Sequence, residues 1–148
     1  MARSIDDIAA EFTSVDDELR LAMLLDFAKK LPALPPELAA LSDLDERRVH
    51  ECMTPVHLWV VPDAENPKRV RLHVAVAEEA PTVKGILSII VHAYDRTTPA
   101  HIATIPPDLL SRLGLDSCIR MNRAVGLNAI ITRIKREAAA ATAAEGAS

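Results

Sequence analysis

The sequence predicts an α+β domain: a small antiparallel sheet with helices packed on one face. Two observations carry this. Two strand-like runs, 56–61 and 69–76, sit side by side in mid-chain, separated by the turn formers Pro62-Asp63-Ala64-Glu65-Asn66-Pro67. Helical periodicities lie before and after these runs instead of alternating with them, which is the order of a segregated sheet and not of βαβ units. At 148 residues and 49% apolar, the chain is long enough to bury one core.

The first helix begins at Ser4, a capping hydroxyl followed by Asp6 and Asp7, and would bury Ile5, Ile8, Ala9 and Phe12. A second begins near Ser14, with Asp16, Asp17 and Glu18 at its positive end. Its apolar stripe is Leu21, Leu24, Leu25, Ala28 and Leu31, widened by Met23 and Phe27, and Pro32 stops it. Leu31-Pro32-Ala33-Leu34-Pro35-Pro36 is a stiff connector before one or two helical turns over 37–41, and 42–46 reads as loop.

In the second strand Val70, Leu72, Val74 and Val76 alternate with Arg69, Arg71, His73 and Ala75, so one face is buried and one is wet. Arg48 to His50 is a candidate third strand. Pro81 opens the clearest helix, with Val83, Ile86, Leu87, Ile90, Val91 and Tyr94 on one face. Gly85 within it implies close approach of another backbone. Thr98-Pro99 starts a short helix, and Asp108 to Leu113 forms another that Gly114 ends. Asn122 is the expected cap of the last helix, whose buried face is Leu127, Ile130, Ile131 and Ile134. One domain over 1–137 is expected, with an alanine-rich tail, 138–148, that frays.

A net charge of −4 without a basic block argues against nucleic acid as a partner. No apolar run is long enough to cross a bilayer, and acids stand at the N-terminus where a signal peptide needs a hydrophobic stretch, so a cytoplasmic protein is expected. Two cysteines, Cys52 and Cys118, cannot complete an all-thiolate zinc site, and neither a metal nor a cofactor is expected.

The chemistry concentrates in Arg47-Arg48-Val49-His50-Glu51-Cys52-Met53-Thr54-Pro55-Val56-His57. Cys52 stands just before a strand, off any apolar periodicity. Nearby Arg47, Arg48, His50 and His57 favour the thiolate, the reactive form, whereas Glu51 opposes it. From the residues alone three uses remain open: a buried small hydrophobe, a sulfur or acyl nucleophile, and a mixed metal site with His50 and His57 whose spacing fits no common zinc pattern. Cys118 reads as a half-buried structural thiol. His73 and His92 read as solvated surface, and His101, in a short helix, offers no constellation. Arg123 is a cation near a helix N-terminus, where the dipole gives it no advantage and an anion site would explain it.

In order along the chain, Leu31-Pro32-Ala33-Leu34-Pro35, the Val49–Val56 cysteine segment, Ala80-Pro81-Thr82-Val83-Lys84-Gly85-Ile86-Leu87, Leu113-Gly114-Leu115 and Arg123-Ala124-Val125-Gly126-Leu127 resemble the SufE family of sulfur-acceptor proteins. The resemblance implies that Cys52 accepts sulfane sulfur from a cysteine desulfurase as a persulfide, passes it to an iron–sulfur cluster scaffold and stimulates the desulfurase. It implies that Arg123 stabilises the anionic sulfur, in a monomer or weak homodimer. The family's Gly before the cysteine is Glu51 here, its Gln-Ser after it is Met53-Thr54, and Pro55-Val56-His57-Leu58 replaces the commoner Gln-Val-Trp, resembling a divergent subgroup. Cys118 stands where many members have a histidine, and Met121-Asn122 replaces Ser-Pro. Two other readings are a regulatory module that binds a desulfurase without carrying sulfur, and a Cys–His hydrolase.

Overall fold

Residues 4–40, 45–49, 55–116 and 121–147 are described in the computed structural model, the last stretch with side chains at 126–141. Helix α1 (Ile5–Thr13) starts as its sequence requires: the Ser4 hydroxyl accepts from the Asp7 N–H at 3.1 Å, and Ile8 and Phe12 are buried. Helix α2 (Asp17–Lys29) is capped by Asp16, whose carboxylate accepts from the Leu19 N–H at 2.9 Å. Ser14, the expected start, instead closes α1, donating its hydroxyl to the Glu11 carbonyl at 2.8 Å.

The buried face of α2 is Leu24, Phe27 and Ala28, while Leu21 is 38% exposed. The stripe is rotated because Arg20 occupies part of the inner face. Its guanidinium donates to the carbonyls of Phe12 (2.7 Å), Val15 (2.7 Å) and Gly114 (3.2 Å) and to Asp17 (2.7 Å). One side chain thus ties the end of α1, the α1–α2 link and a distant turn together. Gly114 holds that turn at φ 69°, a left-handed conformation that favours glycine.

A short helix, α3 (Pro36–Ala39), follows the proline connector, and Asp45–Arg47 forms a 3-10 turn. Strands β1 (Val56–Pro62) and β2 (Val70–Val76) pair antiparallel in the register Val56↔Val76, Leu58↔Val74, Val60↔Leu72, Pro62↔Val70. The buried valines and leucines therefore share one face. The α+β class is as expected, with a two-stranded sheet. The expected third strand is reduced to a single bridge, Arg48↔His57, with His50 outside the described residues.

Helix α4 (Pro81–Tyr94) is buried continuously from Gly85 to Val91, Ser88 included, and not along one face only. It packs on α1 and α2 on one side and on β2 on the other. Asp95 closes its end onto the sheet, accepting from the Leu72 N–H at 2.8 Å and pairing with Arg71 at 3.1 Å. Arg96 then turns the chain at φ 61°, so that Val70 exchanges backbone hydrogen bonds with Arg96 and Thr97, each 2.9 Å. Two short helices follow, α5 (Pro99–Ile102), capped by Thr98, and α6 (Leu109–Arg112). Helix α7 (Met121–Ala147) packs Leu127, Ile130, Ile131 and Ile134 into the core and against β1 and β2. It begins at Met121, so Asn122 lies within its first turn and is not the cap. It crosses residue 137 without a break, and Ala138 is fully buried.

The connector 31–35 lies along the outer face of β2, forming with Arg71, His73 and Asp95 a cleft of about 160 Å³. His73 is therefore half-buried where a solvated side chain is expected. Burial, and then the Arg71 charge, hold its imidazole below the ordinary 6.5, against the opposing pull of Asp95 and Glu37.

Two predictions follow from this packing. A Cβ at Gly85 would lie 2.5 Å from the Leu24 carbonyl oxygen, a backbone atom that cannot swing aside. Gly85→Ala should cost about 1–3 kcal/mol despite alanine's better helix propensity, seen as a lower midpoint in chemical denaturation. His73 binds fewer protons folded than unfolded, so its contribution is neutral well above 6.5 and becomes destabilising as pH falls through 6.5 toward the lower folded value. Thermal melts between about pH 8 and pH 5 should show a smaller loss for His73→Gln than for the parent; equal losses would remove His73 from the acid response.

Candidate functional site

Cys52 lies outside the described residues, as do His50, Glu51 and Cys118. What is described are both stems of the segment that holds Cys52. The Val49 N–H donates to the Val56 carbonyl at 2.9 Å, and Arg48 bridges His57, so the chain leaves and re-enters the sheet at adjacent points. Val49 is fully buried. On the other side the Pro55 carbonyl accepts from the Ala77 N–H at 3.2 Å, and the Ala80 N–H donates to the Ala77 carbonyl at 3.1 Å, one residue before α4 starts. The segment is framed by the end of the hairpin and the start of the central helix.

Helix α7 holds the incoming stem. Arg133 donates from its two terminal nitrogens to the carbonyls of Arg48 (2.5 Å) and Glu46 (2.6 Å), and from Nε to Glu137 (2.6 Å). The second oxygen of Glu137 accepts from Arg47 at 3.0 Å. The five groups form one network, with the Arg133 and Glu137 side chains 15% and 17% exposed, so it is shielded enough to hold a fixed geometry. The stem carries Asp45, Glu46, Arg47 and Arg48 and the clamping helix adds Arg133 and Glu137, so the formal charges balance and the network acts through geometry rather than net charge. The Arg48 Nε is buried without a hydrogen-bond partner among the described residues.

The direction of α7 places its first turn. The helix meets Arg48 at Arg133, whereas Ala140 and Ala141 share a groove with Val60, further along β1. Its N-terminal end lies on the other side of Arg133 from Ala140 and Ala141. Arg123 belongs to that end, ten residues or about 15 Å along the axis from Arg133. Its side chain lies outside the described residues. The structure thus gives a backbone position for Arg123 and a frame for Cys52.

The other histidines lie elsewhere. His92 Nδ1 sits 2.8 Å from the Ser88 carbonyl and its ring meets Phe27 edge-on. The His101 ring packs 5.0 Å from that of buried Tyr94. Both border an open groove of about 720 Å³ with Arg69, Arg96 and Asp95. That groove is at the far end of the hairpin from Val56, and its carboxylate is already taken by Arg71 and Leu72, so it adds nothing to a site around Cys52. Among the described residues no group of three or more His, Cys, Asp or Glu side chains could hold a metal. No helix there is long and apolar enough to cross a membrane.

Arg133 and Glu137 are the site-supporting residues that the sequence analysis misses. Their spacing of four within α7 marks an ion pair and no more, because the groups Arg133 reaches are carbonyls, and any residue type supplies a carbonyl.

Residues 6–138 match the SufE family, described as the Fe-S metabolism associated domain. An uncharacterized SufE-like protein of Mycobacterium tuberculosis is 39% identical over 130 residues, covering 88% of this chain and 87% of that one. The sulfur acceptor protein CsdE of Escherichia coli is 32% identical over 130 residues, covering 87% of this chain and 82% of CsdE. The solution structure of a hypothetical protein from Thermus thermophilus superposes with a TM-score of 0.78 at 28% identity, over 95% of this chain and 97% of the other.

Proposed function

The chain belongs to the SufE family, and on that premise we propose that it is a cytoplasmic sulfur acceptor for a cysteine desulfurase, carrying sulfur on Cys52 to an iron–sulfur cluster scaffold. The observation that carries this reading is the family match over 6–138, which includes Cys52, together with an alignment that covers 82% of the sulfur acceptor CsdE. The framed stems support it, since they tie both ends of the segment to the sheet.

The step is an exchange. The Cys52 thiolate attacks the outer, sulfane sulfur of the desulfurase cysteine persulfide. The sulfur–sulfur bond of the donor breaks, a new one forms to Cys52, and the donor cysteine leaves as a thiolate. No electrons enter or leave the pair. A nucleophile on the scaffold then removes the sulfane sulfur in the same way and returns the Cys52 thiolate. Removing sulfur from the desulfurase frees its cysteine for another turnover, which accounts for stimulation. Arg123, in the first turn of α7, is assigned to the anionic sulfur on the family resemblance. Glu51 beside Cys52 discourages the free thiolate, so reaction is favoured once a partner offsets that charge.

Incubation with a cysteine desulfurase and cysteine should raise the intact mass by one sulfur atom, and Cys52→Ser should abolish the gain while Cys118→Ser keeps it. Stimulated desulfurase with no mass gain would instead mean a regulator that carries no sulfur. Arg123→Ala should slow loading by about tenfold with the melting temperature unchanged, as expected for loss of one charge-assisted contact; loading at the parental rate would remove Arg123 from the site.

A further inference from the structure

We infer that Arg133, held by Glu137, is a positioning residue for sulfur transfer: it locks the stem of the Cys52 segment to helix α7. This deepens the reading of Cys52 as the acceptor and rests on it. Arg133 reaches two carbonyls of the stem, those of Glu46 and Arg48, at 2.6 and 2.5 Å. A guanidinium does this because its nitrogens diverge in one plane, so the two carbonyls are fixed relative to each other as well as to the helix. Glu137 takes the third donor, Nε, at 2.6 Å and sets the rotation of that plane. The same carboxylate accepts from Arg47, within the stem itself, at 3.0 Å.

Val49 comes next in the chain, buried and bonded to Val56, so the lock is passed to the point where the segment leaves the sheet. The helix that provides the lock also carries Arg123. A single rigid element therefore sets both the stem of the nucleophile's segment and the backbone of the residue assigned to its anion. Residues so arranged act through geometry, and a transfer reaction that needs the attacking sulfur in line with a sulfur–sulfur bond is sensitive to such geometry.

Two substitutions separate positioning from charge. Arg133→Met removes a cation and the fork; Glu137→Gln removes an anion and loosens the fork. Through charge alone they act in opposite directions on Cys52: the first raises the pH midpoint of its alkylation by iodoacetamide and the second lowers it. Through positioning both slow sulfur loading. The test measures loading by mass at saturating desulfurase, alkylation at Cys52 by peptide mass across pH, and melting temperature. Arg133→Lys is included as a folded variant that keeps the charge without the fork, and exposed Arg136→Met as the control on the same helix.

Loading about tenfold slower or more is expected in Arg133→Met and Glu137→Gln, with Arg133→Lys also slowed although its alkylation midpoint stays near the parent's. Loading by Glu137→Gln that equals or exceeds the parent's would overturn the inference, as would parental loading by Arg133→Lys. Slowing of equal size in Arg136→Met would do the same. A parent that alkylates normally but gains no sulfur defeats the acceptor reading itself, which the positioning variants leave untouched.

Discussion

Everything in this domain is arranged around a helix that has no wet side. Helix α4 is buried on all sides between Gly85 and Val91, so it cannot lie on the sheet like an ordinary amphipathic helix. It must be covered on one side by the hairpin and on the other by α1 and α2. The contact that permits this is the passage of the Leu24 carbonyl over Gly85, where a methyl group would not fit. With α4 fixed, its first turn fixes Ala80 and Ala77, and through them Pro55. Its last turn fixes β2 through Asp95. The frame around the Cys52 segment is thus an outcome of core packing.

Polar side chains do the remaining joining, and they do so through backbone carbonyls. Arg20 gathers Phe12, Val15 and Gly114; Arg133 gathers Glu46 and Arg48. In both cases a mostly shielded guanidinium satisfies carbonyls that no strand or helix claims. Such a group joins irregular segments without requiring a particular residue at the other end. In a core with so few aromatic side chains, these forks fix loops that hydrophobic contact alone leaves free to slide.

Much of this is legible in the sequence, and the misreadings have one cause. The hairpin register follows from the alternation at Val70, Leu72, Val74 and Val76, and the start of α4 from Pro81, because a period or a missing N–H reports directly on local geometry. The face of α2 is misjudged because periodicity counts a charged residue as outward, whereas Arg20 turns inward and displaces Leu21. His73 is misjudged because the connector 31–35 that covers it is far away in sequence. Cys52 is singled out by family likeness, because its neighbours alone leave it between core residue and nucleophile. The clamp at Arg133 is not, since its partners are carbonyls more than eighty residues distant.

The pairing of Val49 with Val56 has a further consequence, which concerns encounter and not structure. Cys52 is three residues from one tied end and four from the other, so its Cα can lie at most about 11 Å from Val49 and its thiol stays close to the stem. A partner that seats against the stem meets that thiol at an effective concentration on the order of millimolar or above, whatever the protein's own abundance. On the proposed function, sulfur exchange is then an intramolecular event within the docked pair. Its yield is governed by how long the pair stays together, and selectivity among the many thiols of a cell is settled by docking before any sulfur atom moves.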